Sequence, residues 1–380
     1  MRYKILFISS WFPNKLEPTN GNFVQRHAEA VSRLHDVEIL HAIGDATQKE
    51  TYLFDDTIIK GLRTLIVYYR NSRNPLLNFI RRMKAYQLGF SRLQKPNLVH
   101  ANVLHNSMLF AVYLKRKFKI PFVVTEHWSG FLKMNRKQLS TSQLFVAKTI
   151  ANNAEFILPV SQYLLNDLKE LGWKTKFDAV GNVVDTDLFK LKSTAENKSF
   201  TFLHISNLVQ LKNPDKIITA ALKLRNEYAD FELHIGGDGD IEKLNKIIEE
   251  NNAESFIKTF STLTLSEVAV KMRNSDCFIL FSDYENFPCV LLESLSAGTP
   301  AIATKVGGIP EIINDKNGIL ISNSKDELYE AMKAVLQKKI NFSSSSDLHQ
   351  FVEDHFSIEI IAQKFDKIYR EVLTAEKQNS

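Results

Sequence analysis

Short apolar runs of the buried-strand kind alternate with stretches of helical periodicity along almost the whole chain, and this alternation restricts it to parallel sheets with helices on both faces. Strands are expected at 5–9, 37–43, 98–101, 122–125 and 156–160, then at 200–205, 233–235, 256–260, 277–281 and 318–321. Between them, stripes such as Val24, Ala28, Val31 and Leu34 recur at helical steps. A chain of 380 residues exceeds one ordinary core, so two domains are expected, 1–190 and 191–357, with the polar stretch 192–199 as hinge. The serine run 343–346 reads as a local linker, and Ile361, Phe365, Ile368, Tyr369 and Val372 predict a helix over 358–380.

The most informative stretch is 282–311, SDYENFPCVLLESLSAGTPAIATKVGGIPE. A strand end leads into a loop, and from Val290 the residues favour helix until Gly298 stops it. Pro288 stands just before that helix or in its first turn, where its missing N–H is not needed. The free amides of the turn, at about Cys289, Val290 and Leu291, would then face the carboxyl edge of the sheet, a seat for an anion such as phosphate. Glu285 in the loop and Glu293 on the helix flank that seat. A carboxylate is repelled by phosphate unless it accepts hydroxyl hydrogen bonds, so rings bearing hydroxyls on each side explain both. A sugar diphosphonucleoside has that layout. Two isolated glutamates are more often solvated surface residues; the surrounding pattern outweighs that reading.

At these residues the chain resembles the retaining glycosyltransferases of family 4, whose motif E-x7-E stands here as Glu285 to Glu293, with GTP-AIAT-VGG-PE following. The resemblance implies an α/β GT-B fold, two Rossmann-like doubly wound domains facing each other across a cleft, with the helix over 358–380 crossing back to the first. It implies that Glu285 faces the donor sugar near the reacting carbon and that Glu293 holds the ribose. Asn286, Phe287, Pro288, Cys289 and Val290 line the donor between them. It further implies a phosphate contact at Gly21 and a donor-sugar contact at His127 in VVTEHW, with the adjacent Glu126 a weaker candidate. Lys212 matches a cation on the donor phosphates, and Gly237 in the run GGDG lies near the nucleotide. Asn207 stands where the family commonly has arginine, which removes one charge-assisted partner. Glu285, His127 and Lys212 are the catalytic candidates. Asp185 and Asp187 spell D-x-D, read here as turn chemistry, so no metal and no other cofactor is expected.

The net charge of +5 conceals an asymmetry, because 57–125 contains no Asp or Glu. Arg81, Arg82, Lys84 and Arg92 interleave with Leu76, Leu77, Phe79, Ile80, Met83, Leu88 and Phe90, a pattern suited to an anionic membrane surface contacted through the basic stretch 60–119. A basic helix packing its apolar side on its own domain is the other reading. No stacking platform or motif points to nucleic acid. The opening MRYKILFISSWF resembles a signal peptide but meets Pro13 instead of a small-residue cleavage site, and suits a first strand better. Two cysteines make no disulfide framework, so a cytoplasmic location, peripheral on the inner membrane face, is expected. The implied activity is retaining transfer of a sugar (a hexosyltransferase) from a UDP- or GDP-sugar to a glycan or lipid-linked hydroxyl in surface polysaccharide or lipopolysaccharide synthesis. A nucleotide-sugar epimerase of the same fold, or a non-catalytic nucleotide-sugar-binding protein, stands as the alternative.

Overall fold

A computed structural model describes residues 1–191 and 199–379. The chain forms two compact units, Met1–Val183 together with the chain from Ile358 onward, and Val184–Ser357. The hinge expected at 192–199 falls on 192–198, outside the described residues.

The first unit is built on β1 (Lys4–Ser9), β2 (Asp36–Asp45), β3 (Tyr52–Ile59), β4 (Leu62–Arg70), β5 (Leu98–Asn102), β6 (Phe122–Glu126), β7 (Phe156–Pro159) and β8 (Lys176–Phe177). Their order is β3-β4-β2-β1-β5-β6-β7-β8, parallel throughout except for the β3–β4 hairpin. Period-two alternation splits the core between the two faces. Leu6 and Ile8 face the side packed by α2 (Pro75–Phe90), α3 (Leu109–Phe118), α4 (Thr141–Ala151) and α5 (Gln162–Lys169), whereas Ile5 and Phe7 face α1 (Asn22–Ser32). The C-terminal helix (Ile358–Asn379) covers this second face, burying Ile361, Phe365 and Tyr369, and ties to it through Asp366 against His35 Nε2 (3.1 Å) and Tyr369 Oη against His100 Nδ1 (2.5 Å).

The hairpin of β3 and β4 was not anticipated. Its edge strand carries Asp55 and Asp56 in mid-strand, exposes half of its residues and buries none fully, so it lacks the apolar run that marks the other strands. What secures it is the two-residue turn at Lys60 and Gly61, both at positive φ, and Arg63 reaching Asp56 and Glu38. Helix α2 packs one side on its own domain. Ala85, Tyr86 and Gly89 are buried, and Met83 and Phe90 pack on the core. Leu76, Leu77 and Ile80 stay exposed, beside exposed Arg73 and Lys84. Arg82 turns inward, donating to Tyr69 Oη (3.1 Å), Asn106 Oδ1 (3.2 Å) and Ser107 Oγ (3.2 Å).

The second unit has β9 (Phe200–Ser206), β10 (Phe231–Gly237), β11 (Ile257–Phe260), β12 (Cys277–Leu280), β13 (Ala301–Thr304) and β14 (Gly318–Ile321) in the all-parallel order β11-β10-β9-β12-β13-β14. Its helices are α6 (Pro214–Arg225), α7 (Ile241–Glu250), α8 (Leu265–Arg273), α9 (Cys289–Ser296), α10 (Lys325–Leu336) and α11 (Ser345–Phe356). The serine run 343–346 is a helix start, not a linker. Ser344 Oγ accepts from Asp347 N (3.2 Å) and Asp347 Oδ2 accepts from Ser344 N (3.2 Å), a reciprocal cap that short polar residues are well suited to make. Where the chain leaves and rejoins this unit, Val184 N donates to Phe356 O (2.9 Å). In each sheet the strand order reverses beside its first strand, at β1/β5 and β9/β12, the position where open α/β sheets bind ligands. Among the described residues no helix is long and apolar enough to cross a membrane.

Candidate active site

The loop leaving β12 carries Glu285, and the loop leaving β9 carries Lys212 at the end of a 3-10 turn, Gln210–Lys212. The two side chains form an ion pair at the switch point, and Glu285 Oε1 also accepts from Ser282 Oγ (2.7 Å). The backbone beneath is equally tied. Asn213, in the left-handed region, donates from Nδ2 to Phe281 O (3.1 Å) and Asp283 Oδ1 (2.7 Å), while Asp283 N donates to Leu211 O (2.9 Å). Ser282, Asp283 and Asn213 escaped the sequence reading because short polar residues at strand ends look like ordinary turn formers. Their role appears only once β9 and β12 are neighbours.

His204 couples the same two strands. Its Nδ1 donates to Ile279 O (2.9 Å) on β12, and its Nε2 accepts from Ser206 Oγ (2.8 Å) at the end of β9. Burial pushes its pKa down to about 4, with the Ile279 carbonyl opposing and Lys212 reinforcing, so the ring is neutral and holds one tautomer near neutral pH.

Pro288 is the N-cap residue of α9. Of the three amides expected to be free, that of Leu291 donates to Pro288 O (3.2 Å), because the first turn closes tightly, so it is committed within the helix. Glu293 is buried on α9 among Leu291, Leu292 and Leu295, which removes the reading of an exposed helix face. Asn286 and Phe287 are buried, Phe287 against the Phe356 ring at 5.6 Å, while Cys289 and Val290 are half-exposed. Asn286 O accepts from Gly308 N (3.1 Å). Gly307, at φ +52°, passes so close that a Cβ there would lie 1.7 Å from Glu285 O. The VGG tripeptide is thus the support on which Glu285 rests. Gly237 ends β10 against Ser206 O, and the side chain of Asn207 is exposed at the same edge. Asp185 is a turn residue, its Oδ1 accepting from Leu188 N (3.0 Å).

The remaining candidates, Gly21 and His127, lie in the first unit and meet at the start of α1. Gly21, at φ +74°, is the N-cap residue, and a Cβ there would stand 2.4 Å from the Trp11 backbone. Phe23, two residues on, stacks obliquely on His127 (4.2 Å between centroids), and His27 lies 5.3 Å from the same ring. Burial, then His27 and His100, hold the His127 pKa well below its ordinary value, so it acts as a neutral hydrogen-bonding group. Glu126 has a structural task. It is fully buried, accepting from Leu104 N at Oε2 and from Trp128 N at Oε1 (both 2.6 Å), and burial raises its pKa to about 7 against those donors.

Residues 21–188 match the family described as Glycosyltransferase Family 4, and residues 185–353 match Glycosyl transferases group 1. An uncharacterised glycosyltransferase of Methanocaldococcus jannaschii is 25% identical over 366 residues, covering 95% of this chain and 97% of its own length. A glycosyltransferase named for teichuronic acid biosynthesis in Bacillus subtilis is 24% identical over 93% of this chain and 94% of its own. Among solved structures, Anabaena HepE in complex with UDP-glucose superposes with a TM-score of 0.72 at 18% identity, over 98% of this chain and 100% of that one.

Proposed function

We propose, on the premise that this chain belongs to the family 4 glycosyltransferases and has their GT-B fold, that it transfers a sugar from a UDP- or GDP-sugar to a hydroxyl of a glycan or lipid-linked acceptor, with retention at the anomeric carbon. The observation that carries this reading is the Lys212–Glu285 pair at the β9/β12 switch point, beside the N-terminus of α9. A donor diphosphate competes with Glu285 for Lys212, and the exchange of one anionic partner for another keeps the cation neutralised while freeing Glu285 for the sugar hydroxyls. The bond from the anomeric carbon to the diphosphate breaks, and the acceptor oxygen replaces it on the same face. The acceptor proton leaves with the phosphate. Lys212 and the amide of Val290 stabilise the departing charge, and Glu293 grips the ribose.

The UDP-glucose complex of the Anabaena protein supports a nucleotide-sugar donor, and the teichuronic acid relative supports a surface-polysaccharide product. A thermal-shift screen against UDP-, GDP- and ADP-sugars tests the donor, because a ligand at about 100 times its Kd adds ~2.7 kcal/mol to the folded state. Nucleotide release must then depend on an acceptor, which separates a transferase from an epimerase. Replacing Glu293 by Ala is expected to weaken nucleotide binding by about 10- to 100-fold, the loss of a charge-assisted hydrogen bond. Glu285→Gln should instead lower kcat with nucleotide affinity nearly intact. Equal loss of both quantities in either variant contradicts these roles.

The exposed Leu76, Leu77 and Ile80 beside Arg73 and Lys84 favour a peripheral anionic membrane as the acceptor's setting. Each basic residue near such a surface contributes about 1 kcal/mol. Reversing Arg73 and Lys84 to Glu should therefore release the protein from phosphatidylglycerol vesicles in a flotation assay. Undiminished flotation removes the membrane from this account. Arg82 is the wrong residue for that test, because its inward bonds hold the fold.

A further inference from the structure

A cavity of about 260 Å³ opens in the first unit at the carboxyl edge of β5 and β6, lined by Leu104, His105, Asn106, Trp128, Phe131 and Gln143 among others. Its walls are built in advance. The buried Glu126 accepts from both Leu104 N and Trp128 N, so one carboxylate sets the two loops on either side. Trp128 stands edge-on to Phe131 at 5.5 Å between centroids, and Gly130 gives the indole its room, since a Cβ there would lie 2.6 Å from the ring.

The polar groups are oriented too. Asn106 Oδ1 accepts from Arg82 Nη1 (3.2 Å), and Gln143 Oε1 accepts from Ser140 N (2.8 Å) in the cap of α4. Each amide thus uses its oxygen for the fold and keeps its NH2 group as donor. His105 accepts at Nδ1 from Ser107 (2.9 Å from Oγ), which puts its proton on Nε2. An indole face, three uncharged N–H donors and no carboxylate in the wall suit an uncharged polyhydroxylated ring better than an anion or a purely apolar ligand.

We propose that this cavity is a monosaccharide subsite, with one pyranose ring stacked on Trp128 and its hydroxyls accepting from Asn106, Gln143 and His105. Its assignment to a glycan acceptor rests on the transferase reading above; binding of a sugar here does not. The acceptor class is then a chain ending in a neutral hexose or N-acetylhexosamine.

Saturation-transfer NMR on the full chain with methyl glycosides of glucose, galactose, mannose and N-acetylglucosamine provides the test. At least one glycoside should receive saturation, and Trp128→Ala should remove it. Gln143→Glu keeps the helix cap, because a glutamate at that position still accepts from Ser140 N, yet it turns the donor into an acceptor. It should weaken glycoside binding at least 10-fold with the wild-type Tm. No binding of any of the four glycosides, or wild-type binding by a folded Gln143→Glu protein, overturns the subsite. The transferase reading fails separately: sugar bound here, lost in Gln143→Glu, with no donor turned over in the presence of any acceptor, sinks the transferase and leaves the subsite in place.

Discussion

Gly307→Ala should lower sugar transfer by about 100-fold, the scale of loss that follows when a reacting group is displaced by roughly 1 Å. The residue touches no substrate in this account. A methyl group at that position would sit 1.7 Å from Glu285 O, a separation no pair of heavy atoms tolerates, so either the 307–308 turn or the Glu285 loop must move. The Lys212 pair and the Ser282 hydrogen bond depend on where that loop lies. Positive φ adds strain of about 1–2 kcal/mol for any residue with a Cβ. Gly61→Ala separates the two effects. It has φ +82° in the β3–β4 turn but nothing within 4 Å of its virtual Cβ, so it should cost stability without touching kcat. Wild-type kcat in Gly307→Ala would falsify the support assigned to the VGG turn.

Acidification should unfold the first unit before the second. His27 and His41 are buried there as neutral rings with pKa values pushed down to about 4 by burial, His105 likewise, and His100 and His127 are held well below the ordinary value. In the second unit only His204 carries a comparable shift among the described residues. A base whose folded pKa lies below its unfolded one contributes stability that is complete above about pH 6.5 and is lost as pH falls through about 4. Each fully buried ring with that shift is worth roughly 3 kcal/mol at the acid limit, against a typical total of about 5–15 kcal/mol for a domain. Glu126 works the other way. Its raised pKa, about 7, means its contribution is greatest below the unfolded carboxyl value and declines as pH rises through 7, so it offsets about one histidine.

The chain supplies its own probe for this order. All three tryptophans, Trp11, Trp128 and Trp173, belong to the first unit. Tryptophan emission should therefore shift between pH 6 and 4 while much of the far-ultraviolet helical signal persists, and the two should coincide at neutral pH under denaturant only if the units are coupled. Simultaneous loss of both signals on acidification removes the histidine asymmetry as the cause.

Most of the parallel strands could be read because buried strands are short apolar runs bounded by turns, and the C-terminal stripe of Ile361, Phe365 and Tyr369 announced a helix for the same reason. The hairpin of β3 and β4 was hidden because an edge strand with Asp55 and Asp56 has only one neighbour to satisfy and little to bury. Helix α11 was hidden because Ser344 and Asp347 form a cap that in one dimension resembles a polar linker. Of the residues singled out in the sequence, the structure brings Glu285 and Lys212 into an ion pair, makes Pro288 the N-cap of α9 and buries Glu293 on that helix.

What the residues determined unaided was therefore the kind of architecture, two wound sheets. Only the folded chain decided that Lys212 pairs with Glu285, that Gly307 lies against the Glu285 backbone, and that Glu126 ties together the loops of Leu104 and Trp128. Periodicity and turn chemistry act within a few residues and so survive in one dimension. The Glu126–Leu104 bond and the Lys212–Glu285 pair join residues 22 and 73 positions apart, and they exist only after strand order has brought those positions to one edge.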